Sequence, residues 1–157
     1  MIDGLDPRNI MEKKLQKPRV LIVDDERFYS EVLENLLSPQ FEIDVAGNGE
    51  LALAKAQTAP QPDLILLDIV MNGMDGYEVC RRLKQNEQTR DIPVIFLTVK
   101  RDIDDEVRGF NLGAVDYITK PMSPPIVRAR VRNHIELGRL KQRLIECEKR
   151  CGKKNVD

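Results

Sequence analysis

Apolar and polar residues follow one another along this chain in two kinds of block. Five short stretches rich in aliphatic and β-branched residues predict β-strands, and they are residues 19–23, 42–46, 64–68, 93–97 and 115–119. The segments between them carry apolar residues three and four positions apart, which predicts helices; the first such set is Phe28, Val32, Leu33, Leu36 and Leu37. Strand and helix alternate five times, so we expect a doubly wound α/β fold with a five-stranded parallel sheet.

Two stretches predict more than their secondary structure. Four consecutive aliphatic residues precede Asp68, which is typical of a strand that is buried on both faces of a parallel sheet. Residues 42–46 instead alternate between polar and apolar side chains, so we expect this strand at an edge. The loop after Asp68 is dense in turn-forming residues, and Asp75 or Gly76 is expected to cap the next helix.

A long final helix is predicted to begin near Pro124 and Pro125. Its first turns cover the sheet through Ile126, Val127, Val131 and Ile135. The spacing of three and four then continues beyond the sheet, as in the seam of a coiled coil, through Leu137, Leu140, Leu144, Cys147 and Cys151. This extension is either a solvated helix that frays or a surface for a partner. We expect the second, a homodimer through the C-terminal helix.

These patterns divide the chain into three parts. Residues 1–17 form an N-terminal arm, in which Pro7 opens a short helix or the chain stays mobile. Residues 18–136 form one folded domain. Residues 137–157 form a helical extension or a linker.

The composition narrows the class of protein. Hydrophobic residues make up 41% of the chain and charged residues 32%, ordinary values for a soluble globular protein. With 25 basic and 26 acidic residues the formal net charge is -1, so no overall field favours direct contact with nucleic acid or a membrane. The chain has no apolar run long enough to span a bilayer. Its three cysteines are too few for a disulfide framework, so we expect a cytoplasmic protein.

Polar side chains stand at the ends of four predicted strands. Asp24 and Asp25 follow the first strand, Asp68 ends the third, Thr98 the fourth and Lys120 the fifth. Ligands of open α/β sheets bind beyond the carboxyl ends of the strands, so we expect these side chains to meet there. Each one alone is more often structural, for example as an Asp that begins a turn.

Clustered carboxylates repel one another unless a cation neutralises them. Hard oxygen ligands suit Mg²⁺ better than zinc, and with Mg²⁺ bound one carboxylate can act as a nucleophile toward phosphorus. A phosphoryl group in transfer needs further positive charge and hydrogen-bond donors, which Lys120 and Thr98 can supply. The strand ends therefore predict a Mg²⁺ site for phosphoryl chemistry.

Four motifs surround these positions, at residues 20–25, 66–76, 97–98 and 116–121. Together they resemble the receiver domain of bacterial two-component response regulators, over about residues 18–140. The resemblance implies a flavodoxin-like sheet in the order 2-1-3-4-5. It also implies that a sensor histidine kinase or a phosphotransfer protein is the phosphoryl donor.

The resemblance carries over to individual residues as follows. Asp68 corresponds to the phosphoacceptor, and Mg²⁺ is implied to bind Asp24, Asp25, Asp68 and the backbone carbonyl of Val70. Thr98 and Lys120 are implied to contact the phosphoryl oxygens. Tyr117 is implied to act with Thr98 as a switch, and the bond between Lys120 and Pro121 is implied to be cis.

Residues 127–137 also resemble the helix by which receivers lead into diguanylate cyclase or phosphodiesterase output domains. The chain is then either the receiver part of a longer protein, with an output domain beyond residue 157, or a stand-alone regulator. The sequence leaves both open.

Val99 departs from the family pattern, which usually has a small residue directly after the threonine. Its branched side chain either narrows the mouth of the site and slows phosphodonors, or turns away without effect. Narrowing leads to a second function class, a degenerate receiver that docks partners without phosphorylation. An aspartyl-phosphate phosphatase would need an acid two residues after the nucleophile, where this chain has Val70. We therefore expect a signalling receiver rather than an enzyme.

Overall fold

The computed structural model describes residues 16–99 and 103–154. In chain order its elements are β1 (Arg19–Val23), α1 (Arg27–Leu37), β2 (Glu42–Ala46), α2 (Gly49–Gln57), β3 (Leu64–Asp68), α3 (Gly76–Gln85), β4 (Val94–Thr98), α4 (Ile103–Asn111), β5 (Asp116–Thr119) and α5 (Pro124–Lys154). The predicted alternation is confirmed, and the strand bounds differ from the predicted ones by at most one residue. The predicted N-terminal arm lies outside the described residues except for Gln16 and Lys17.

The five strands are parallel and lie in the order β2-β1-β3-β4-β5, as predicted. Both β3 and β4 are buried along their whole length. β2 lies at one edge and exposes Glu42 and Asp44, which explains its alternating sequence. The direction in which strands are added to the sheet reverses at β1, because β2 pairs with one side of β1 and β3 pairs with its other side. Ligands of doubly wound sheets bind at such a point.

Each face of the sheet has its own apolar core. One core joins β-strand residues to α1 and α5 through Val20, Ile22, Leu33, Leu37, Leu64, Leu66, Ile95, Leu97, Ile118, Val127, Val131 and Ile135. The other joins them to α2 and α3 through Leu21, Val23, Ala52, Ala56, Ile65, Leu67, Val79, Cys80, Leu83, Val94, Phe96 and Tyr117. Full burial of one large aliphatic side chain contributes about 1.5–3 kcal/mol, so the two layers hold the sheet rigidly beneath its carboxyl edge.

The apolar stripe predicted for α1 is only partly buried. Leu33 and Leu37 are buried as expected, whereas Phe28 is 70% exposed and Val32 is 40% exposed. Phe28 lies in the first turn of α1, beside the carboxyl edge of the sheet, and contacts the ring of Tyr29 instead of a strand. Helical spacing alone cannot show where the neighbouring sheet ends.

The loop after Asp68 is fixed by its connection to α3. Asp75 is the N-cap of α3, and its side chain accepts a hydrogen bond of 2.9 Å from the backbone of Glu78. Gly76 approaches β3 so closely that a Cβ atom there would lie 2.2 Å from the carbonyl oxygen of Asp68. A residue with a side chain at position 76 would therefore displace the end of β3.

Helix α5 is much longer than the sheet requires. Its 31 residues extend over about 46 Å at 1.5 Å rise per residue. Val127, Val131 and Ile135 pack on the sheet, and the part beyond them exposes Leu137 and Leu140 among its apolar side chains. No helix in the described part of the chain combines the length and the apolar character needed to cross a membrane.

Candidate functional site

The structure brings together the polar residues predicted at the strand ends. Asp24, Asp68, Thr98 and Lys120 lie at the carboxyl edge of the sheet, and each is at most 8% exposed. Their neighbours in the sheet are in register: Val23 lies opposite Leu67, Asp68 opposite Leu97 and Thr98 opposite Thr119. Parallel pairing therefore places residues that are far apart in sequence at the same height.

Lys120 provides the positive charge of the site. Its Nζ lies 2.8 Å from Oδ2 of Asp24 and 3.5 Å from Oδ1 of Asp68. Burial alone would lower the pKa of Lys120, but the hydrogen bond to Asp24 and the charges of both carboxylates raise it above its ordinary value. Lys120 is therefore a fixed cation. Its backbone N–H donates 2.7 Å to the carbonyl of Thr98, and its bond to Pro121 is cis, as the resemblance implied.

The three carboxylates fit a divalent metal ion. One oxygen from each of Asp24, Asp25 and Asp68 lies within 4.8 Å of the others. Asp25 is the most accessible of the three and accepts a hydrogen bond of 2.9 Å from the backbone of Asn72, in the loop after β3. One lysine cannot balance three carboxylates, and the ligands are oxygens without nitrogen or sulfur. These properties favour Mg²⁺ over zinc.

The carboxyl group of Asp68 is a weaker acid than an ordinary aspartate. Burial raises its pKa from 3.8 to about 6, and the charge of Asp24 acts in the same direction. Lys120 opposes this rise but is closer to Asp24 than to Asp68. A carboxylate that is costly to ionise in the apo protein gains most from an added cation.

Tyr29 belongs to the site, although the sequence analysis did not include it. The Nζ of Lys120 lies 4.0 Å from the centroid of the Tyr29 ring, within the range of a cation–π contact. Tyr29 stands in the first turn of α1, four residues after Asp25, and is half-buried. Its position one helical turn after the acidic pair is the only signal in the sequence that points to it.

Tyr117 is buried on the side of β5 that faces α4. Its hydroxyl donates to the backbone carbonyls of Asp105 at 2.8 Å and Glu106 at 3.0 Å. Burial raises the pKa of this hydroxyl to about 12, so it remains protonated. The ring is only 6% exposed and contacts the rings of Phe96 and Phe110.

Gly109 leaves the space that the Tyr117 side chain occupies. A Cβ atom at position 109 would lie 1.7 Å from the Tyr117 hydroxyl oxygen and 2.7 Å from its Cζ. This overlap is far inside van der Waals contact, so the inner position of Tyr117 depends on the absence of a side chain at position 109.

Val70 and Val99 lie on the rim rather than in the buried cluster. Their side chains are 73% and 62% exposed, respectively. Val99 directly follows Thr98 and Val70 stands two residues after Asp68, so both lie near the carboxyl edge of the sheet. The effect of Val99 on phosphodonors and the metal contact of the Val70 carbonyl remain predictions.

The pKa of Asp68 generates a prediction on stability. Between pH 4 and 6 the folded protein retains a proton on Asp68 that the unfolded chain loses at about its ordinary value of 3.8. Without Mg²⁺, this residue should therefore lower the free energy of unfolding as the pH rises through that window, by on the order of 2 kcal/mol. Urea unfolding of wild type and Asp68→Asn across this window measures the difference. Parallel pH profiles for the two proteins would contradict the assignment.

Gly109 generates a second prediction. Gly109→Ala should expel the Tyr117 ring and lower the free energy of unfolding, because two buried atoms would overlap with the new methyl group. The matched control is Gly138→Ala in α5, where the nearest atom would be 4.0 Å away, on Pro93. That helix position should gain up to about 1 kcal/mol. Urea unfolding and the ring signals of Tyr117 in NMR spectra report both effects, and equal stability changes would refute the steric argument.

Comparison with known proteins agrees with this geometry. Residues 20–132 match the family described as "Response regulator receiver domain". A Vibrio cholerae protein named "Probable cyclic di-GMP phosphodiesterase" is 44% identical over 131 residues, which cover 83% of this chain and 30% of that protein. The alkaline phosphatase synthesis transcriptional regulatory protein PhoP of Bacillus subtilis is 44% identical over 115 residues, 73% of this chain and 47% of the relative. This chain thus spans less than half the length of either relative.

A solved structure supports the same assignment. The chemotaxis response regulator CheY4 of Vibrio cholerae superposes with a TM-score of 0.71 at 28% identity, over 76% of this chain and 99% of the other. The segment that matches the family, residues 20–132, contains the carboxylate cluster and nearly all of the five-stranded sheet. The chain belongs to the family of response regulator receiver domains.

Proposed function

We propose that this receiver is switched by phosphorylation of Asp68, with a histidine kinase or a phosphotransfer protein as the donor. The observation that carries the proposal is the position of the Asp68 carboxylate. It ends a buried strand, lies among two further carboxylates and has the Lys120 ammonium 3.5 Å away. The rim around it is open enough to leave Val70 and Val99 exposed.

The reaction is a transfer to oxygen. A carboxylate oxygen of Asp68 attacks the phosphorus atom of the donor, and the bond between phosphorus and the donor nitrogen or oxygen breaks. The donor leaves with the electron pair of that bond, and Asp68 becomes an acyl phosphate. Lys120 and the Thr98 hydroxyl would then interact with the phosphoryl oxygens. When bound to Asp24, Asp25, Asp68 and the Val70 carbonyl, Mg²⁺ would offset the negative charge.

Thr98 and Tyr117 are the proposed switch. They stand on neighbouring strands, since Thr98 pairs with Thr119 and Phe96 with Tyr117. Tyr117 already holds the backbone of α4 through its hydroxyl. We expect phosphorylation to draw the Thr98 side chain toward Asp68 and to stabilise this inner arrangement, so that the surface of α4 and β5 changes for a partner.

We infer the cellular location and the output from the assignment of the chain as a receiver domain. As a receiver the chain is a signalling module, and its own chemistry is limited to its phosphorylation and dephosphorylation. Its three cysteines are free thiols, which fit a cytoplasmic location. The output is either an output domain beyond residue 157 or a surface of this domain.

A degenerate receiver that only docks partners is the second candidate. The observation in its favour is Val99, which replaces the usual small residue and lies near the carboxyl edge of the sheet at 62% exposure. In that case the fold and the acidic cluster would persist without phosphorylation. The two candidates differ in one measurable property, the formation of the acyl phosphate.

The first test is covalent labelling. Incubation with acetyl phosphate and Mg²⁺ should raise the intact mass by one phosphoryl group, because Asp68 is the proposed phosphoacceptor. Asp68→Asn should abolish the adduct, whereas Asp75→Asn should retain it, since asparagine is an equally good N-cap. A stable adduct on Asp68→Asn would overturn the assignment. Unlabelled wild type, with both acetyl phosphate and a histidine kinase, would favour the degenerate receiver.

The second test concerns Val99. If its side chain narrows the entrance, Val99→Ala should label severalfold faster with acetyl phosphate, while its affinity for Mg²⁺ stays the same. Val115→Ala is the matched control. Val115 is also partly exposed, but it directly precedes the amino end of β5, at the end of the strand away from the carboxylate cluster. Stopped-flow or quenched mass measurements give the rates. Equal rates for wild type and Val99→Ala would show that Val99 turns away.

A further inference from the structure

The C-terminal part of α5 carries an apolar seam that the receiver domain does not cover. Leu137, Leu140 and Leu144 are 50%, 53% and 63% exposed, and Cys147 and Cys151 are exposed as well. These five residues are spaced by three and four, the interval of the core positions in a coiled coil. We define them as the seam. Burial of these exposed leucine side chains against another helix would be favourable, because it removes apolar surface from water.

The seam points away from the body of the protein. The residues by which α5 packs on the sheet are Val127, Val131 and Ile135, and Gly138 continues their side of the helix next to Pro93. At 3.6 residues per turn the seam lies about 150° around the helix from this packed side. A second helix can therefore lie along the seam without contacting the sheet of its own chain.

Charged residues flank the seam in a pattern that indicates the partner. In heptad terms Glu136 and Arg143 occupy g positions, while Lys141 and Glu148 occupy e positions. All four are exposed, and none of them makes an ion pair with another residue in the described part of the chain. They are thus available to a partner helix.

These charges match a second copy in parallel orientation. In a parallel, in-register pair each g residue faces the e residue five positions later on the other helix. Glu136 then faces Lys141 of the partner copy, and Arg143 faces Glu148. Both contacts join opposite charges, and two-fold symmetry forms each of them twice.

The antiparallel alternative is less favourable. In the antiparallel overlap that places Leu140 opposite Leu144 of the other copy, Glu136 would face Arg150, but Lys141 would face Lys141 and Arg143 would face Arg143. Like charges in these positions oppose association. Burial is the main reason that the pKa of Lys84 is lowered, and the nearby charge of Lys141 lowers it further. An acidic group from a partner would relieve this repulsion.

We propose that the C-terminal helix binds the same helix of a second copy of this chain in a parallel, in-register coiled coil. Each seam residue faces its own counterpart across the two-fold axis. Cys147 therefore lies opposite Cys147 and Cys151 opposite Cys151. The proposal is independent of the chemistry at Asp68, because it rests on the seam and its flanking charges.

The receiver domain makes so short a coil feasible. An isolated helix of two heptads is marginal in water because its first turn is costly to nucleate. Here the first turns of α5 are already held by packing on the sheet and by contacts of Arg130 and His134 with Asp116. The extension continues a helix that is already formed, so we expect association at micromolar concentrations.

Single-cysteine variants of the full chain test the orientation. Cys151→Ser leaves Cys147 on the seam, and Cys147→Ser leaves Cys151; with the oxidant diamide both should form disulfide-linked dimers. Cys80 is fully buried, and burial raises its pKa to about 11, so it does not compete. The matched control carries Lys149→Cys with both seam cysteines replaced by serine. Its thiol lies on the outer side of the same helix and should not cross-link.

Charge variants test the partner under reducing conditions. Lys141→Glu should raise the dimer dissociation constant at least about threefold, since two attractive pairs become repulsive. Adding Glu136→Lys should restore the wild-type value by reversing each pair. Lys149→Glu has the same change in net charge at an outer position and should have no effect. Sedimentation equilibrium at moderate ionic strength measures all four proteins.

The outcomes are decisive for the proposal and separate from phosphorylation. Cross-linking of both single-cysteine variants together with rescue by the double charge swap would support the parallel dimer. A wild-type chain that stays monomeric at high micromolar concentration would overturn it, as would equal weakening by Lys141→Glu and Lys149→Glu. Failure of Cys147 to link to itself in a protein that dimerises would overturn the parallel register. None of these results changes if Asp68 is replaced by asparagine.

Discussion

The buried ion pair between Lys120 and Asp24 is the contact on which the arrangement of this protein depends. The two residues are 96 positions apart in sequence, yet their side chains meet at 2.8 Å with almost no exposure. Removal of one partner from such a buried pair typically costs about 3–5 kcal/mol, because the other charge is left without compensation. The pair joins the end of β1 to the end of β5 across the site, and Lys120 also lies 3.5 Å from Asp68. It leaves the three carboxylates with an excess of negative charge, which is why the site favours a divalent cation.

β5 connects this site to two helices. Lys120 follows its last residue, while Tyr117 near its start binds the backbone of α4. On the other side Arg130 of α5 contacts both the carboxylate of Asp116 and the carbonyl of Tyr117, and His134 lies 2.9 Å from the same carboxylate. This four-residue strand thus links the carboxylate cluster, α4 and the base of the long helix. Packed and hydrogen-bonded contacts of this kind can carry energetic coupling between the carboxylate cluster and a distant surface.

Much of the fold could be predicted because its signals are local. Burial on both faces gives β3 its four consecutive aliphatic residues, and edge exposure gives β2 its alternation. Asp24, Asp68, Thr98 and Lys120 could be grouped because parallel strands bring their carboxyl ends to one edge of the sheet. The sheet order and the role of each residue required the family resemblance, since neither periodicity nor spacing specifies which strands pair.

By itself the sequence determined the alternation of strands and helices, the acidic and basic residues of the site and the heptad spacing beyond Ile135. Tertiary structure alone decided that Tyr29 lies against Lys120, that Gly109 makes room for Tyr117 and that Phe28 is exposed. It also decided the pKa of Asp68, which depends on burial and on the distance to Asp24. The reason is that periodicity records the average surroundings of an element. A contact between residues far apart in sequence depends instead on distances that are set only when the elements pack.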